Sequence, residues 1–299
     1  MFALATSNTM VAVLPWHDPV RLAEQIIMLD NLSNGRLLLG MGRGTGVVEF
    51  DGLRVEMGEA RQRFKESAEA ILEALETGYI EYDGEYIKQP RTAIRPGPFK
   101  SFKGRTYSAT ISPESAEIMA RLGTGILIVP QKPWNQTQQD CLTYTRTYLD
   151  AIGEEPPSPI CSGWTFVHED AEKAEEMARQ YVGGYWRSIV DHYEFDKPHL
   201  KSTPGYEFHS LMYDRLNAPN GLQRMTDFYI GLQPWGTPEQ VVEKIRGFCE
   251  ITGANTFVGN FRFGGMSYQE AESSMRLFAG EVMPALRQME FSSPLPMPV

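Results

Sequence analysis

The 299-residue chain has few cysteines and no cysteine pattern: Cys141, Cys161 and Cys249 lie far apart with no CxxC or Cys/His spacing. That excludes a disulfide framework or a zinc ribbon and leaves three free packing thiols, as in a reducing compartment. Long apolar runs are missing too, so no bilayer-spanning helix is expected. The opening MFALATSNTMVAVLP has no positive charge ahead of its apolar stretch and no convincing cleavage site, which points to the cytoplasm. The net charge of −10 is spread without acidic or basic blocks, arguing against nucleic-acid and membrane partners. His17, His168, His192, His199 and His209 show neither HxxxH nor HExxH spacing, so no metal site is expected. Serine hydrolase chemistry lacks its GxSxG elbow.

What is there is an alternation of strands and helices. An apolar run from Met10 to Leu14 ends at Pro15, and Asp18-Pro19 then supplies an N-cap and first-turn proline for VRLAEQIIMLDNL. Asn34-Gly35 stops that helix before the strand RLLLGMG. Phe64, Ala68, Ile71, Leu72 and Leu75 keep helical spacing within residues 58–77, and Asp83-Gly84 marks a hairpin. The strand RTYSAT, a helix opened by Ser112-Pro113, the strand ILIV and an amphipathic helix over 135–152 continue the pattern. SGWTFVH and a charged helix follow. Residues 194–232, with Pro198, Pro204, Pro219 and scattered aromatics, show no sustained period and are expected to form an irregular lid. Thr237-Pro238 then caps EQVVEKIRGFCEITG, ahead of the strand NTFVGNF and a last helix over 268–289. About six βα units imply a parallel sheet, open or closed into a barrel. A single domain is expected over 1–291, with a flexible tail at 292–299.

Three features carry candidate chemistry. Gly40-Met41-Gly42-Arg43-Gly44-Thr45-Gly46 follows a strand directly, where α/β proteins place ligands, although a structural turn would use the same residues. Arg61 lies in the first turn of a helix, where the dipole disfavours a cation; either a nearby anion or a pair with Glu59 or Glu66 relieves the conflict. Ser112-Pro113-Glu114-Ser115 opens a helix after a strand, as a plain cap or as a second anion-binding surface.

LDNLSNGRLLLGMGRG, the 18-residue step from Arg43 to Arg61, TISPES, and GTPEQVVEKI with SSMRLFAGEVMPAL resemble the bacterial luciferase-like flavin monooxygenases almost end to end. The resemblance implies a TIM-type (β/α)8 barrel with the flavin at the C-terminal strand ends. It is N-terminally incomplete, since two opening βα units of the family have no counterpart and about six are visible. It also implies that Arg43, Arg61 and Ser112 hold the flavin phosphate, with Ser115 near it and Thr110 and Ile111 in the same cofactor-binding stretch. Gly42 stands where luciferase has a cysteine close to the reactive ring carbon. Met10 and Val11 match a pair joined by a non-prolyl cis peptide beneath the isoalloxazine. The family's catalytic histidine falls in the units without counterpart, which leaves the catalytic residue open. The implied activity is oxygenation of a small hydrophobic substrate with oxygen and reduced FMN from a separate flavin reductase. A deazaflavin-dependent oxidoreductase and a flavin-binding protein without turnover are the alternatives. An open barrel edge implies self-association, as a homodimer or otherwise.

Overall fold

The computed structural model describes residues 9–289, so the expected tail lies outside the described residues. The elements are β1 (Thr9–Val13), α1 (Pro19–Leu32), β2 (Leu39–Gly42), α2 (Val47–Leu53), α3 (Ala60–Thr77), β3 (Tyr79–Asp83) and β4 (Lys88–Ala93). Next come β5 (Thr106–Thr110), α4 (Pro113–Arg121), β6 (Gly125–Ile128), α5 (Trp134–Ile152), β7 (Ile160–Trp164), β8 (Phe166–Val167) and α6 (Ala171–Tyr193). The chain continues with α7 (His199–Ser202), α8 (Glu207–Leu216), α9 (Gly221–Gly231), β9 (Trp235–Gly236), α10 (Pro238–Thr252), β10 (Thr256–Asn260), α11 (Tyr268–Leu277) and α12 (Met283–Arg287).

Local signals set most of these boundaries. Asp18 accepts a hydrogen bond from the Arg21 amide and Pro19 fills the first position of α1, while Asn34 and Gly35 both turn with positive φ beyond its end. Thr237 and Gln240 form a reciprocal capping box on α10, as Ser267 and Glu270 do on α11.

β1, β2, β5, β6, β7 and β10 pair in that order, all in parallel, into one six-stranded sheet. These are the six βα strands of the sequence pattern, curled as part of a TIM-type architecture. β8 and β9 make a separate short parallel ladder, and β3 and β4 form the expected hairpin. The buried Glu66 carboxylate of α3 holds the hairpin turn by accepting from the amides of Glu85, Tyr86 and Ile87 at 2.8 to 2.9 Å. These bonds and Gln62 outweigh the cost of burial and keep its pKa below the usual carboxylate value.

At the start of β2 and β5 sits a buried ion pair. Asp30, fully buried at the end of α1, takes both terminal nitrogens of Arg105 at 2.8 and 3.1 Å and accepts from the Leu37 amide. Arg105 also donates to the Leu37 and Lys100 carbonyls at 2.9 Å, so three connections are tied to one guanidinium.

Residues 194–232 are not irregular. α7, α8 and α9 fill them and pack with α6 into a second apolar cluster, in which Trp186 stacks on Tyr229 with ring centroids 4.8 Å apart. Their helicity rests on this packing. α7 has four residues and α8 ten, too short to show a period or to be stable alone. Among the described residues no helix is long and apolar enough to cross a membrane, and no group of three or more His, Cys, Asp or Glu could hold a metal ion.

Candidate functional site

The parallel strands bring their C-terminal ends to one side, and a cavity of about 370 Å³ opens there, within the size range of small-molecule sites. Val11 and Val13 come from β1, Gly42 from β2, and Ala109 from β5. Opposite them, Tyr185, Ile189, Tyr193 and Phe195 come from α6 and the turn after it. Trp164 stands near Tyr185, with ring centroids 4.7 Å apart. The cavity therefore lies between the sheet and the α6–α9 layer, and one wall is aromatic.

Six of the nine residues singled out from the sequence line this space: Val11, Gly42, Arg43, Ile111, Ser112 and Ser115. Thr110 ends β5 beside them, paired with Ile128. The Met10 side chain is outside what the structure describes, and the Met10–Val11 bond falls at a register irregularity between Thr9 and Ala12. Arg61 stands just behind Arg43. The Gly205 carbonyl accepts from Arg43 Nη1 at 2.7 Å and from Arg61 Nη2 at 3.0 Å. Arg61 also meets Glu114 Oε2 at 2.5 Å and Glu207 Oε2 at 3.8 Å. Neither partner weighed for Arg61 is used: Glu59 pairs with Arg63, one helical turn on, while Glu66 takes Gln62 and the hairpin amides.

Arg43 lies over the Tyr206 ring, 4.1 Å from guanidinium carbon to centroid, and burial lowers its pKa from the ordinary arginine value. Two guanidiniums this close repel, and the carbonyl with its flanking carboxylates offsets that repulsion. Burial pushes the Tyr206 phenol up to about 12, so it stays a neutral donor and holds the Gly44 carbonyl at 2.8 Å. Ser112 caps α4 by accepting from the Ser115 amide at 3.3 Å, and the two hydroxyls lie 2.8 Å apart. Behind them the largely buried Lys132 ammonium donates to the Ile111 carbonyl at 2.8 Å and pairs with Asp140. The α4 N-terminus, two hydroxyls and two guanidiniums thus lie together beside the cavity, a set of donors and positive charge that suits an anion.

Sequence reasoning missed Gly205, Tyr206 and His209, because they fall in the stretch without periodicity; its unusual density of aromatics was the one available signal. Gly42 has a steric reason to lack a side chain, since a Cβ there would collide with the Val11 γ-methyl on the adjacent strand. Gly42→Ala is expected to cost about 1 to 3 kcal/mol through overpacking, and Val11→Ala made alongside should recover most of it. A double-mutant cycle by urea denaturation measures this, and additive losses would show that the two residues do not share the space.

Residues 8–256 match the family described as luciferase-like monooxygenase. The alkanal monooxygenase alpha chain of Aliivibrio fischeri is 27% identical over 284 residues, 94% of this chain and 79% of that protein. Among solved structures, the monooxygenase RslO1 from Streptomyces bottropensis aligns with a TM-score of 0.71 at 25% identity, covering 93% of this chain and 77% of that one. The coenzyme F420 dependent tetrahydromethanopterin reductase from Methanopyrus kandleri aligns with a TM-score of 0.64 at 17% identity, covering 93% and 82%.

Proposed function

Since the chain belongs to the luciferase-like monooxygenase family, we propose that it binds reduced FMN by its phosphate and uses oxygen to oxygenate a small hydrophobic substrate. One observation carries this reading: two guanidiniums of one βα unit, Arg43 just after β2 and Arg61 in the first turn of α3, converge on a single carbonyl oxygen beside the α4 N-terminus. A phosphate is a stronger acceptor than a carbonyl and fits the same donors. The residues present suit the whole group, with charge and hydroxyls for the phosphate and aliphatic and aromatic walls for a planar ring.

When bound, the reduced flavin supplies the electrons and the activation of oxygen. Arg43 and Arg61, with Ser112 and Ser115, would hold the phosphate. Val11 and Gly42 would border the ring, while Trp164, Tyr185, Tyr193 and Phe195 would exclude water and shape an apolar space for the substrate. A separate flavin reductase is the partner this scheme needs, and the edge strands β1 and β10 are the surfaces through which the chain would self-associate.

A second reading, hydride transfer with coenzyme F420, is favoured by the likeness in fold to the F420-dependent reductase. FMN is preferred because the relative and the more similar structure are both named as monooxygenases, and oxygenation requires a reduced flavin that reacts with oxygen. Reconstitution with reduced FMN under ¹⁸O₂, against aliphatic and aromatic aldehydes, tests the proposal. The expected result is substrate-stimulated oxygen uptake with one labelled atom in the product. Reduction of added F420 by an alcohol without oxygen uptake would favour the second reading, and FMN binding without product would leave a flavin-binding protein.

A further inference from the structure

His209 is the third residue of α8, four positions beyond the glycine whose carbonyl the two arginines hold, and it lines the cavity with Arg43, Ser112 and Ser115. It is 7% exposed, yet neither ring nitrogen has a hydrogen-bond partner. Its neighbours are aromatic: the rings of Tyr206 and Phe208 are centred 5.8 Å away and that of Phe195 6.1 Å away. Two buried, unsatisfied polar atoms on one side chain are costly, and a fold that keeps them calls for a partner. His199 also has two orphaned nitrogens, but it does not face the cavity.

We propose that His209 is a ligand-binding residue of this pocket, donating a ring N–H to a phosphate oxygen of the bound cofactor. The proposal rests on the flavin reading above and adds to it a recognition residue from the α7–α9 layer, outside the stretches that carry the family resemblance. The chemistry follows from the surroundings. Burial, with the Arg43 guanidinium nearby, holds the imidazole pKa down at about 4, so near neutral pH the ring is uncharged with one donor and one acceptor nitrogen. Arg43 already supplies charge at that end, and what the ring can add is a directed neutral donor. A phosphate offers only acceptors there. Gly205, Tyr206 and Glu207, two to four residues before His209, touch the same two arginines, so the imidazole is carried by the segment already anchored at that end of the cavity.

The test uses the whole chain. FMN and riboflavin are titrated against wild type, His209→Phe, which keeps the volume, and His209→Gln, which keeps an N–H donor. Loss of a hydrogen bond to a charged group is expected to weaken FMN binding by roughly 10- to 100-fold in the phenylalanine variant, with partial recovery in the glutamine variant and riboflavin changed less than about twofold. Equal losses for both flavins, or none for FMN, would overturn the proposal. Should the variants fail to fold, ¹⁵N-histidine spectra of wild type decide it, with the His209 ring as the expected mover among five histidines. Inorganic phosphate serves as a second probe. A His209 shift with phosphate but no FMN binding would sustain the contact and sink the flavin reading, whereas a saturating phosphate titration that leaves His209 unmoved would refute the contact itself.

Discussion

Replacing Arg43 by alanine is expected to weaken FMN binding by about 2 to 4 kcal/mol, roughly 30- to 1,000-fold, because a charge-assisted phosphate contact is lost from a largely buried position. Riboflavin, which lacks the phosphate, should lose much less. It will not be wholly unaffected, because Arg43 also holds the Gly205 carbonyl and stacks on Tyr206, which in turn fixes the Gly44 carbonyl. The informative quantity is therefore the difference between the two ligands. Arg43→Lys should fall between, since an ammonium keeps the charge but loses the planar fork and most of the stacking. Without ligand, the alanine variant should also show faster amide exchange across Gly205 and α8, whose anchor has gone. Equal losses for FMN and riboflavin, by fluorescence titration, would make Arg43 a residue of the fold alone.

The largest loss of stability is expected from Asp30→Ala, about 3 to 5 kcal/mol, because it leaves the Arg105 guanidinium charged and without its carboxylate where little water reaches. Arg105 is 12% exposed and Asp30 is fully buried. A loss of that size is a large part of the 5 to 15 kcal/mol typical of a folded domain. Asp30→Asn should recover little, since the amide retains an acceptor but no charge. The pair stands at the N-terminal ends of β2 and β5, away from the cavity, so the FMN affinity of molecules still folded should hardly change. Urea denaturation measures the stability and titration the affinity. A stability loss below about 1 kcal/mol would mean that solvent replaces Asp30 at no great cost.

Asp30 also shows what a recognisable stretch of sequence means. It belongs to LDNLSNGRLLLGMGRG, the run that carries the family resemblance most clearly, and that run performs two tasks at opposite ends of one strand. Its first half anchors the loop into β2 through Asp30 and the Leu37 amide, and its second half delivers Gly42 and Arg43 to the cavity. From the sequence only the second was visible, because the partner of Asp30 is 75 residues away in the chain.

The amino-acid sequence by itself determined the order of strands and helices wherever short-range chemistry sets it. Asp18-Pro19, Ser112-Pro113 and Thr237-Pro238 start helices because a side-chain oxygen and a fixed φ act within one turn, and glycines beyond α3, α5 and α10 end them for the same local reason. The parallel sheet follows from that alternation. Only the tertiary structure decided what meets at the cavity. Arg43 and Arg61 share the carbonyl of Gly205, which is 162 and 144 residues distant from them, because parallel strands set their C-terminal ends side by side and the α7–α9 layer folds back over those ends. The helices of that layer escaped sequence reasoning because they are short and broken by prolines, and their stability comes from aromatic packing on α6 instead of from their own periodicity. His209 looked ordinary for the same reason: what isolates its two nitrogens from water is a set of neighbours that only the assembled fold brings together.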